Sequence, residues 1–90
     1  MTEIIHNVSD RRHGWIGSWE AEPLVLSALT PADVGRTVIY RDHGRAEAGT
    51  LTSWSTKTVW ARYSTGETAA GSHPDNLMSA VRSRDGPDRS

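Results

Sequence analysis

The sharpest alternation of apolar and polar positions lies mid-chain, in "GRTVIYRDHGRAEAGTLTSW". From Arg36 to Arg41, Val38 and Tyr40 share one face and Thr37 and Ile39 the other, which is the period of a strand. "DHGR" predicts a tight turn, because Asp42 can bond its own backbone and Gly44 supplies a positive φ. A threonine-rich return strand follows from Ala46 to Trp54, with Gly49 marking a bulge or sharp bend. "STK" is a short loop. "TVWARY" is a third strand, with Val59, Ala61 and Tyr63 facing one way and Trp60 and Arg62 the other. "STGE" turns the chain into a short fourth strand, Thr68 to Gly71. After the turn "SHPDNL", Leu77, Met78 and Val81 return apolar side chains to the core.

Upstream the pattern weakens. Residues 1–29 have no clean period, and Gly14 and Gly17 argue against a helix around Trp15 and Trp19. Pro23 to Leu29, "PLVLSAL", fits either a buried strand or one helical turn. In "TPADVG", Thr30 before Pro31 reads as the cap of a single helical turn that Gly35 ends. Short strands separated by glycine-containing turns predict an all-β chain closed into a small barrel, since closure removes exposed edges. The expected organisation is an N-terminal arm or extra strand over residues 1–29, a barrel of about five short antiparallel strands over 30–82, and a disordered tail over 83–90. Residues 1–12 are expected to be mobile, with Trp15 or Trp19 docked. Val38, Leu51, Val59 and Leu77 are the expected core.

Ninety residues make one domain with one modest core. With no cysteine, there is neither a disulfide framework nor a thiolate metal site. The N-terminus lacks a basic start followed by an apolar run, so no signal peptide is visible. No apolar stretch approaches the ~18 residues of a membrane span. Net charge is −1, and its distribution is only mildly polar. Arg36 to Tyr63 carries five basic and two acidic residues, or +3; Met1 to Leu29 carries two basic and four acidic, or −2.

Enzymatic signatures are missing. His6, His13, His43 and His73 fall in neither H-x₃-H nor HExxH spacing, "GWIGSW" is not G-x-S-x-G, and no lysine follows the glycines as a phosphate loop requires. A non-enzymatic protein without metal or cofactor is the expectation. The aromatic residues carry the stronger signal. Trp60 and Arg62 face away from Val59 and Ala61, with Trp54 at the end of the preceding strand and Tyr40 and Arg41 beside them. Such a set suits a groove for a peptide or for single-stranded nucleic acid. Trp15 and Trp19 are second anchors, either for the barrel itself or for a partner.

Residues 30–77 resemble a group of small SH3-like barrel proteins encoded by bacteriophages and prophages. The resemblance rests on Pro31, Asp33 to Arg36, Val38, Tyr40 and Arg41, then on Glu47, Gly49 and Leu51 to Trp54. It continues through Val59, Trp60, Arg62 and Tyr63 to Pro74–Leu77, with Ala61 departing from the usual valine. It implies an SH3-like barrel and a phage origin, with residence in the host cytoplasm or the virion. A looser similarity to Tudor and KOW domains lies in the G…V…G…V-x-V…G…L skeleton. The expected partner is a protein, either a virion component or a host factor. The alternative is nucleic acid held by Arg36, Arg41, Arg45, Lys57 and Arg62.

Overall fold

The computed structural model describes residues 2–64, 66 and 68–84. Its regular elements are seven strands and three single 3₁₀ turns: β1 (Glu3–Asp10), β2 (Trp15–Pro23), β3 (Thr37–Asp42), β4 (Arg45–Trp54), β5 (Val59–Arg62), β6 (Ala70–Ser72) and β7 (Leu77–Ser83). The chain is all-β, and five of its strands close into a small barrel. Around the ring run β1, β2, β7, β3 and β4, and β4 pairs back onto β1. Four of the five junctions are antiparallel; the closing one, Val8 opposite Ala46 and Ser9 opposite Glu47, is parallel. β5 and β6 extend the sheet outward from the far half of β4.

Of the two readings of residues 1–29, arm or extra strand, the chain forms strands, and two of them, β1 and β2, join the ring. β1 pairs with β2 along its length and with β4 at Val8 and Ser9, which makes it part of the barrel wall. Its register slips between Ile5 and Val8, where Asn7 takes a left-handed φ of 58° that asparagine tolerates. Of the two readings of Pro23 to Leu29, the structure has the helical turn, a single 3₁₀ turn at Leu26–Ala28. A second turn, Pro31–Asp33, carries the cap expected at Thr30. The Thr30 amide donates to the Asp33 carboxylate, and Gly35 follows at φ 94°.

The hairpin joining β3 and β4 turns on His43 and Gly44, both at positive φ, as its two-residue connection demands. Gly49 lies where β4 leaves β1 and meets β5. The bulge itself falls three residues later, between Leu51 and Ser53.

β3 and β4 are buried on both faces, so the molecule holds two cores. Inside the ring lie Ile5, Val8, Ala21, Ile39, Ala48, Met78 and Ala80, with Trp19 packed against them. Behind the same strands lie Val38, Leu51, Val59, Ala61 and Leu77, covered by Leu24, Leu26 and Leu29 of the connector. The four residues expected to form the core all lie in this second cluster. Val81 does not return to the core; it is 40 % exposed. Alternation along β7 puts it on the Leu77 side, and the pairing with β3 ends at Ser79, so nothing covers it there. Of the expected tail, Ser83 is the last residue of β7 and the Arg84 amide donates to the Ser18 carbonyl; residues 85–90 lie outside the described residues.

Candidate functional site

β5 is a four-residue strand with two characters. Val59 and Ala61 are fully buried, while Trp60 between them is 37 % exposed. The Thr52 hydroxyl donates to the Trp60 carbonyl across the β4 bulge and fixes the backbone there. Gly71 of β6 stands opposite Trp60. A Cβ at Gly71 would come within 3.1 Å of the indole Nε1 and 3.2 Å of a Thr58 methyl, so the indole lies across β6 over the space the glycine leaves. Arg62 stands opposite Thr50, on Trp60's side of the sheet. β6 is the only strand among the described residues that is paired on one side alone.

The other residues expected in this surface are elsewhere. Tyr40 and Trp54 belong to the margin of the second core, on the opposite face of the sheet from Trp60. Tyr40 packs edge-on to Tyr63, with ring centroids 6.1 Å apart, and its hydroxyl donates to Asp42. Burial, together with that carboxylate, raises the Tyr40 hydroxyl above its usual pKa. Trp54 walls a shallow cleft of about 720 Å³ with Leu26, Leu29 and Thr56. Arg41 is held by Glu3 at 2.8 Å. Trp15 and Trp19 stack at 6.0 Å, with Trp19 against the ring core, so this pair braces the barrel. The Trp19 indole N–H is buried without an acceptor. Of the seven expected residues, Arg62 alone joins Trp60 on this flank; Trp15 and Trp19 form a separate pair, and Tyr40 and Trp54 lie at the second core.

A buried ionic corner escaped the sequence reading. Asp10, 1 % exposed, ends β1 and accepts from Arg12 Nε at 3.0 Å, Arg12 Nη2 at 2.9 Å and the Arg12 amide at 3.1 Å. His13 Nδ1 lies 3.0 Å from Asp10 Oδ2, the oxygen that Arg12 Nη2 also reaches, and Arg12 Nη1 donates to Thr50 at 2.7 Å. Burial pushes the Asp10 carboxyl up, but its hydrogen bonds and the charges of Arg12 and His13 outweigh that and hold it below the ordinary range. The signal was "SDRRHG", an acid two and three residues before its partners at a turn.

Most cations are similarly matched. Arg36 pairs with Asp33, Arg11 with Glu47, and Arg82 and Arg84 with Glu20. Among the described residues, the side chains of Arg45, Lys57 and Arg62 have no such partner. Arg45 lines a hollow of about 410 Å³ whose wall includes Asp42 and Glu47, a poor lining for an anion. The four histidines bond singly to Ser18, Asp10, Asp42 and the Asp75 amide, and no group of three metal-ligating side chains gathers among the described residues.

Comparison of the chain with protein-family models, with curated proteins and with solved structures finds no match. Among the described residues no helix is long and apolar enough to cross a membrane.

Proposed function

We propose that this protein is a non-enzymatic binding module that docks another protein on the flank formed by β5 and β6. One observation carries the reading: Trp60 is a half-covered indole at the open end of the sheet, beside an arginine with no acidic partner among the described residues. Tryptophan and arginine are the side chains that dominate protein interfaces when truncated. The resemblance to phage-encoded barrels favours a virion component or a host factor as the partner. It also favours the host cytoplasm or the virion as the place of action.

Nucleic acid fits less well. A backbone-tracking groove needs a continuous row of free cations beside stacked aromatics. Of the five candidate cations, Arg36 and Arg41 are already paired with Asp33 and Glu3. Arg45 sits in the β3–β4 hairpin, away from Lys57 and Arg62.

The test is capture from phage-infected cells by the wild-type protein and by Trp60→Ala, with affinity then measured across a salt series. The expected result is a protein that the variant holds at least about thirtyfold more weakly, as for a central aromatic anchor, with a shallow salt dependence. A nuclease-sensitive partner with a steep salt slope would establish the nucleic-acid alternative. Equal capture by both forms would remove Trp60 from the site.

A further inference from the structure

Resting on that docking reading, we propose that the partner is received as an added strand. An extended, acidic polypeptide segment pairs with the open edge of β6, while Trp60 and Arg62 read its side chains.

The edge itself names this chemistry. In an antiparallel sheet, alternate residues of an edge strand direct N–H and C=O groups away from the sheet, and an extended backbone is their natural complement. Edges that must not pair are ordinarily blunted by shortness, lysine, proline or an inward charge. β6 reads Ala-Gly-Ser; it is short, which limits an added strand to a few backbone hydrogen bonds, but it carries no lysine, proline or charge. Every other strand among the described residues has a neighbour on each side over at least part of its length, so β6 is the one strand with a side open along its whole length.

Side-chain reading follows from Gly71. Because no Cβ stands there, the Trp60 indole reaches from β5 across β6. An added strand would run about 4.8 Å beyond β6. Its residue opposite Gly71, on the indole's side, would land against the ring. Arg62 is two residues along β5 on the same side, and Lys57 adjoins Thr58, which borders the indole's seat. Neither cation has an acidic partner among the described residues, whereas Arg11, Arg12, Arg36, Arg41, Arg82 and Arg84 all do. This local excess of positive charge fits a segment in which Asp or Glu alternates with an apolar residue.

The experiment uses a library of random linear peptides selected against the full chain, followed by N-methylation of the backbone amides of the enriched peptides one at a time. Acidic peptides with period-two apolar positions are expected. Methylation should weaken binding roughly tenfold at every second amide and little between, since each blocked group removes about one hydrogen bond. Amide exchange within Ala70–Ser72 should slow on binding, and Arg62→Ala should weaken acidic peptides most. The methylation readout leaves the protein unaltered, so it does not depend on a variant folding. Peptides that need Trp60 yet ignore methylation would overturn strand addition while leaving docking at this flank intact. Enrichment of no Trp60-dependent peptide would also overturn it, and the capture experiment would then judge docking separately. Protection of the same amides in protein alone, rising with its concentration, would put a second copy on the edge and overturn the acidic-segment assignment.

Discussion

Gly49 sits beneath the ring of Tyr63. A Cβ there would lie 2.6 Å from Tyr63 Cδ1 and 3.1 Å from the Arg62 carbonyl oxygen, and the ring is confined between Tyr40 and β6. Gly49→Ala is therefore expected to lower stability by ~1–3 kcal/mol, measured by equilibrium denaturation. No change would mean that the ring can swing aside. Asp10 sets a second expectation. Its carboxyl titrates below the ordinary 3.8 in the folded chain, so its contribution is complete above that value and is lost as pH falls through the depressed folded value. Asp10→Asn should cost about 3 kcal/mol near neutrality, because Arg12 stays largely buried without its counter-charge. The variant's stability should also fall less steeply than wild type below pH ~4. Parallel acid unfolding curves for the two proteins would show that Asp10 does not drive the acid transition.

The elements divide into those whose period was readable and those whose period was broken. In β3, in β5 and in β4 as far as its Leu51–Ser53 bulge the alternation holds, and the turns carry residues that announce them. β1 was illegible because the bulge at Asn7 separates its inward residues Ile5 and Val8 by three, and the next inward residue is the charged Asp10. β2 reversed the usual pattern: its inward positions include Gly17 and Ala21, while Ile16 faces water at 69 % exposure. The same inversion hid the surface. Trp54 and Trp60 are close in sequence, but the β4 bulge and the alternation of β5 put them on opposite faces. Because β1 completes the ring, Val8→Ala is expected to cost ~1–3 kcal/mol, comparable with Val59→Ala in the other core. A Val8→Ala protein as stable as wild type would show that β1 does not hold the ring closed.

At the scale of the whole molecule, two cores share one sheet. Large aromatic side chains then have two uses. Trp19, stacked on Trp15, packs against the ring core, whereas Trp60 stands beside the one strand left unpaired on its outer side among the described residues. Docking at this flank requires that Trp60 serve the partner more than the fold. The direct measurement is denaturant unfolding of Trp19→Ala and Trp60→Ala beside the wild type. Trp19→Ala should lose ~3 kcal/mol, because the indole packs against the ring core. Trp60→Ala should stay within about 1 kcal/mol of wild type, because surface positions away from special features change stability little. Unfolding of the chain by Trp60→Ala, at a cost matching Trp19→Ala, would make the indole a structural plug over β6 and contradict the docking surface.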